Sequence, residues 1–182
     1  MRLALLVVSF GALAGSGCVG WTDGYFGPAY ATSGGTRQDG YTAGVEQLFT
    51  PKPGTAMNRD TKPFPVGLHN AFQVTLAPDA KDFSWLTGLA YFTHPEPVSG
   101  YAIAGTNLHF DLLAGHFSFG NFQPYGEIGV AARLGAREDG VDGLVLTMGA
   151  QVMWLVNYLA PAGEPLSNGY VTLKFGLGWD WH

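Results

Sequence analysis

A histidine and a serine separated by one residue precede a glutamate in the second half of the chain: His116, Ser118 and Glu127. Residues two positions apart in an extended strand point to the same side, so His116 and Ser118 share a face. A serine next to a histidine, with a carboxylate nearby, is the arrangement that activates a nucleophile for acyl transfer. The spacing therefore permits an acyl hydrolase. The competing interpretation is a polar pair near the end of a strand, which needs no catalytic role.

A second set of polar residues occupies alternating positions in three predicted strands. A narrow barrel is filled by its own side chains, and charges buried inside it must be paired. We therefore expect an internal network of salt bridges and hydrogen bonds, with ion conduction or ligand binding as alternatives. The members are His109, Asp111, Glu127, Arg133, Lys174 and Asp180.

Composition limits the classes of function. The 182 residues include 27 glycines, 14% aromatic residues and only 13% charged residues, which argues against a disordered chain, a coiled coil and a helical cytosolic enzyme. The net charge of −5 argues against nucleic acid as a partner. The single cysteine and the spacing of His69, His94 and His182 give no metal site, so no metal or cofactor is predicted.

The first residues have the pattern of an export signal. Arg2 is followed by an apolar run over residues 3–14, which is too short to cross a hydrocarbon layer of ~30 Å. Small residues at 12 and 14 would allow cleavage before Gly15. Alternatively, residues 15–18 (GSGC) resemble a bacterial lipobox, in which the cysteine is acylated. We expect residues 1–17 to be a signal peptide and Cys18 to be the lipidation site.

From residue 66 onward, apolar residues recur at every second position. The last strand is the clearest example, because six apolar residues between 171 and 181 alternate with polar or small ones. Short connections between such strands predict an antiparallel up-and-down meander. We therefore predict an all-β chain: a barrel of about eight strands over residues 66–182, preceded by a flexible leader over 18–65. Residues 41–49 are the best candidate for a seventh strand, and the eighth lies in 21–30 or in a split of 100–119.

Strand length and side-chain pattern favour a membrane barrel over a soluble sandwich. A tilted membrane strand needs ~9–11 residues in the apolar zone, and several of these strands reach that length. One face of each strand is apolar and uncharged, whereas the other is polar, as in outer-membrane barrels. Aromatic residues near predicted strand ends fit interfacial girdles: Trp85, Tyr91, Tyr101, Tyr125, Tyr158, Tyr170, Trp179 and Trp181.

Two segments resemble a known family. Residues 123–134 (QPYGEIGVAARL) are similar to a strand common in small bacterial outer-membrane β-barrel proteins of the OmpA/OmpX type, and the aromatic-ended last strand is similar to the one their assembly machinery reads. The His-x-Ser pair with a glutamate also resembles that of outer-membrane lipid A deacylases, although Phe119 stands where that family has asparagine. The first resemblance implies a barrel in the outer membrane, with outer-membrane lipids, the barrel-assembly machinery and other envelope proteins as partners.

These observations predict an outer-membrane barrel, anchored in addition by palmitate-type acylation, that is a structural or accessory component of a bacterial envelope assembly. Two alternatives stay open. One is a lipid-anchored soluble barrel that binds an apolar ligand, and the other is the acyl hydrolase.

The lipidation of Cys18 can be tested directly. Cells that express the protein should incorporate a palmitate analogue into it, and Cys18→Ser should abolish the label, because no other cysteine is present. Unlabelled wild-type protein whose sequence starts at Gly15 would contradict the lipobox interpretation.

Overall fold

The structure is a computed structural model, and it describes residues 18–33, 36–52, 64–78, 80–93, 97–111, 116–117, 123–134, 143–156 and 167–181. Almost all of these residues lie in β-strands. A search of the described ranges finds no helix of the length and apolarity needed to span a membrane.

Nine strands follow one another along the chain. Their bounds are β1 Cys18–Ser33, β2 Thr36–Pro51, β3 Val66–Ala77, β4 Ala80–Phe92, β5 Val98–Asp111, β6 His116–Phe117, β7 Gln123–Leu134, β8 Leu144–Val156 and β9 Ser167–Trp181.

Eight of the strands form a closed antiparallel ring. The order is β4-β3-β2-β1-β9-β8-β7-β5, and pairing of β4 with β5 closes it. The two-residue β6 pairs only with the last two residues of β5 and lies antiparallel to them. Closure gives every ring strand two neighbours and leaves no exposed edge. The predicted fold class, an up-and-down barrel of about eight strands, is confirmed.

The expectation of a flexible leader is wrong for the strands β1 and β2, which contain the candidate eighth strand (21–30) and the candidate seventh strand (41–49). Residues 18–33 and 36–51 form β1 and β2, which pair along their whole length, from Cys18 opposite Pro51 to Ser33 opposite Thr36. β1 also pairs with β9 and so occupies the seam of the barrel. The outward face of β1 mixes Thr22, Gly24 and Pro28 with Phe26 and Tyr30, which obscured its period-two pattern. Pairing on both sides is what makes this segment a strand.

Side-chain burial alternates along the ring strands, with apolar residues exposed on the outside and polar residues buried inside, which is the reverse of a soluble barrel. In β9, Leu173, Phe175 and Leu177 are exposed, whereas Thr172, Lys174 and Asp180 are buried. The predicted faces of this strand agree with that burial. Three tyrosines expected in the outer girdles, Tyr101, Tyr125 and Tyr170, instead point inward and are buried.

Glycine lets β1 approach β9 closely at the seam. A Cβ atom placed on Gly27 would lie 1.6 Å from the backbone carbonyl oxygen of Leu173, so no side chain fits there. A Cβ on Gly24, in the same strand, would meet no atom closer than 3.9 Å.

These two glycines form a matched pair for testing the seam. We expect Gly27→Ala to lower the free energy of unfolding by about 1–3 kcal/mol, the usual penalty for overpacking. Gly24→Ala should stay within about 0.5 kcal/mol of wild type. Urea titration in detergent micelles measures both. Equal stability of the two variants would contradict the close approach at Gly27.

Candidate functional site: the charged network inside the barrel

A lysine lies between two glutamates inside the barrel. The Nζ of Lys174 is 2.5 Å from Oε2 of Glu46 and 2.8 Å from both carboxylate oxygens of Glu127. The ammonium also lies 4.0 Å from the centre of the Tyr25 ring, a cation–π contact. The three ionic side chains are 0–1% exposed.

The barrel geometry brings these residues together from four strands. Lys174 is on β9, Glu46 on β2, Glu127 on β7 and Tyr25 on β1, and each occupies an inward position of its strand. β9 and β2 flank β1, whereas β7 lies beyond β8. The ion pairs therefore cross the lumen and join strands that are not neighbours in the sheet.

Histidine, tyrosine and glutamine side chains complete the shell around the two carboxylates. His69 bridges Glu46 and the Tyr125 hydroxyl, with its ring nitrogens 3.1 Å and 2.6 Å from them. Glu127 accepts hydrogen bonds from the Tyr101 hydroxyl at 2.9 Å and from the Gln151 amide at 3.1 Å. A buried charge is tolerated only when it is paired and hydrogen-bonded in this way.

A second ion pair lies nearer the end of the barrel at which β1 begins and β9 ends, which we call the terminal end. The Arg133 guanidinium donates to Asp180 at 3.0 Å and to the Ser99 hydroxyl at 3.0 Å. It also lies over the ring of Trp21, 5.6 Å from the ring centre. Asp23 accepts a hydrogen bond from Thr147 between the two ion-pair clusters.

Toward the opposite end, which we call the far end, the described lumen residues form neutral pairs and include the carboxylate of Asp82. The Asn107 amide donates to Gln123 at 3.1 Å, and the Tyr25 hydroxyl donates to Gln73 at 2.9 Å. The Tyr170 hydroxyl donates to Asp82. Polar side chains thus occupy successive levels of the lumen.

The structure brings the predicted polar residues together in two separate groups. Glu127 contacts Lys174, and Arg133 contacts Asp180. His109 and Asp111 lie on β5 at every second position after the inward-facing Asn107, so they belong to the same alternating face. Their side chains are outside the described part of the structure.

Sequence reasoning missed four acidic or imidazole members of the lumen, one of which is Asp82. Glu46 and Asp23 lie in segments that were only candidate strands within the predicted leader, and His69 was weighed only as a metal ligand. A usable signal existed for His69, because it shares its alternating face with Gln73. The described residues contain no group of three or more potential metal ligands among His, Cys, Asp and Glu.

The acyl-hydrolase arrangement is not assembled. His116 is opposite Asp111 on β5, whereas Glu127 is opposite Ile103 of the same strand. Eight residues along a strand separate the two levels by about 26 Å. The carboxylate of Glu127 is moreover bound to Lys174. Ser118 lies outside the described residues.

Comparisons with known proteins bear on the fold alone. No known protein family matches the sequence, and no curated protein matches it. The crystal structure of Neisserial surface protein A (NspA) superposes with a TM-score of 0.57 at 13% identity, over 87% of this chain and 96% of that one. The outer membrane protein OprG from Pseudomonas aeruginosa aligns over 91% of this chain and 95% of that one at 12% identity, with a TM-score of only 0.38. The chain is thus an eight-stranded closed antiparallel barrel with a charged interior.

The network makes a quantitative prediction for Lys174. Lys174→Met should lower the free energy of unfolding by about 3–5 kcal/mol, because two buried carboxylates lose their counter-ion. Adding Glu46→Gln and Glu127→Gln to Lys174→Met should recover most of that loss. Urea titration in micelles measures each variant.

The exposed cation Lys52 provides the control, since Lys52→Met should change stability by less than about 0.5 kcal/mol. A Lys174→Met variant as stable as Lys52→Met would show that the buried ion pairs do not hold the lumen together.

Proposed function

We propose that this chain is an integral β-barrel of the bacterial outer membrane that serves as a structural or accessory component of the envelope. The observation that carries the proposal is the inverted distribution of polarity. The described outer surface presents Ile128, Leu89 and Phe26 at 57–67% exposure, while Lys174, Glu46 and Glu127 are buried inside. In water such a surface would be unstable, whereas in hydrocarbon it is the favourable arrangement.

Among the side chains that the structure describes, the exposed charges are confined to the ends of one strand. Among residues whose side chains the structure describes, the exposed charged ones are Arg37, Asp39 and Lys52, near the two ends of β2. Exposed tyrosine and tryptophan residues lie toward both rims, with Tyr91 and Trp179 at the terminal end and Trp154 at the far end. Such belts lie at the two interfaces of a bilayer.

The filled lumen favours a structural role over transport. Trp21, Leu48, Leu86 and Met153 are at most 2% exposed inside the barrel, as is Lys174 at its centre. An eight-stranded barrel has an interior just wide enough for such side chains. The same filling argues against an apolar ligand held inside a soluble barrel, because ion pairs and packed side chains occupy that space.

Acylation of Cys18 is the finer part of the proposal. The half-buried cysteine is the first residue of β1, opposite Pro51 at the terminal end. An acyl chain there would enter the membrane next to the barrel wall, and each buried CH₂ would add ~0.8 kcal/mol of anchoring. The barrel-assembly machinery, outer-membrane lipids and other envelope proteins are the partners that this proposal implies.

A single outward position tests the membrane assignment. Leu173→Arg places a charge in the apolar zone of β9 and should destabilise the inserted barrel by about 2–4 kcal/mol. The matched variant Leu173→Phe keeps the surface apolar and should insert normally. Fractionation of cells and heat-modifiable migration on gels report assembly. Normal membrane levels of Leu173→Arg would contradict the proposal.

A further inference from the structure

A groove crosses the outer wall of the barrel at the far end. It spans β1, β9 and β8, with a volume of about 530 Å³. Tyr30 and Val152 both pair with Val171, so these three residues lie side by side across the groove. One step further toward the rim, Trp154 pairs with Gly169, which has no side chain to fill the space beside the indole.

An arginine stands at the rim of this groove. Arg37 is the second residue of β2, and its guanidinium carbon lies 4.6 Å from the centre of the Tyr30 ring. Its Nε–H donates to Asp39 at 2.9 Å, and both side chains are about two-thirds exposed. That bond uses one of the five N–H donors of the guanidinium, so the two Nη groups can bind a further acceptor.

The groove is therefore apolar along its length and cationic at one end. We propose that it binds an anionic lipid, with the lipid phosphate at Arg37 and one acyl chain between Tyr30 and Trp154. This inference rests on the proposed membrane location. The proposed ligand is a lipid because the apolar part of the groove opens onto the same outer wall as the exposed Leu173. On that wall acyl chains are the surrounding solvent.

Charge and geometry match a phosphate. The guanidinium fork binds phosphate oxygens in pairs, and stacking on Tyr30 fixes the plane of the fork. The competing Asp39 pair is solvent-exposed, and such pairs contribute little. A phosphate can therefore share Arg37 with Asp39 or replace that carboxylate.

Quenching of Trp154 by brominated lipids tests the inference. The protein is reconstituted in bilayers that contain phosphatidylglycerol or phosphatidylcholine with the same brominated chains, and the difference between wild type and Trp154→Phe isolates the Trp154 signal. We expect phosphatidylglycerol to associate at Trp154 about five-fold more strongly than phosphatidylcholine, the effect of one basic residue near a membrane surface.

Three variants test the role of charge. Arg37→Gln should abolish the five-fold preference, and Asp39→Asn should increase it by removing the competing carboxylate. Lys52→Gln is the matched control, because it removes an equal charge at the other end of β2, and it should keep the preference.

The outcomes separate this inference from the proposed function. If neither lipid quenches Trp154 or Trp179, the barrel is not in the bilayer, and both proposals fail. If both lipids quench equally, and Arg37→Gln behaves like wild type, the lipid site alone is wrong. Loss of the preference on adding inorganic phosphate would show a simple anion site and would also overturn the lipid assignment.

Discussion

Backbone groups within a hydrocarbon layer must find their hydrogen-bond partners in the protein, because no water is present to bind them. A ring of eight paired strands meets this requirement, and the ring is complete only when β1 pairs with β9. That seam explains why the first described residues belong to the barrel and why Gly27 has no side chain against the carbonyl of Leu173. The remaining architecture follows from closure, since a closed ring has one inside and one outside.

The inside then sets its own constraint. The interior of an eight-stranded ring is too narrow for a channel. In this chain the interior is also too polar to be a hydrophobic core, so its buried charges are neutralised by partners across the lumen. Lys174 binds carboxylates from β2 and β7, and Arg133 of β7 binds Asp180 of β9. These contacts act as cross-braces between strands that share no backbone hydrogen bonds. A lumen braced in this way suits a passive envelope component better than a pore.

The sequence predicted features that repeat along one strand and missed those that depend on pairing between strands. The alternation in β9 shows directly which residues face out, because every second position is apolar. The segment of β1 was only one of two candidates for the eighth strand, because its outer face mixes Thr22, Gly24 and Pro28 with Phe26 and Tyr30. Its strand character comes from β2 and β9 on either side.

The candidate site shows the same limit. Alternation could place Glu127 and Lys174 on inward faces. It could not pair Lys174 with Glu46, which is 128 residues away in a segment that was only a candidate strand. The pairing register of β5 also argues against the acyl-hydrolase arrangement, because His116 and Glu127 lie close in sequence but at different levels along the barrel axis.

Depth profiling along β9 tests the central claim most directly. Single cysteines at Val171, Leu173, Phe175, Leu177 and Trp179, in a Cys18→Ser background, would carry spin labels in lipid bilayers. The account predicts that collisions with apolar oxygen are most frequent at Phe175 and fall toward Val171 and Trp179, while collisions with a water-soluble nickel chelate show the reverse gradient. Uniform access of the nickel chelate to all five positions would place this face in water and contradict the membrane barrel.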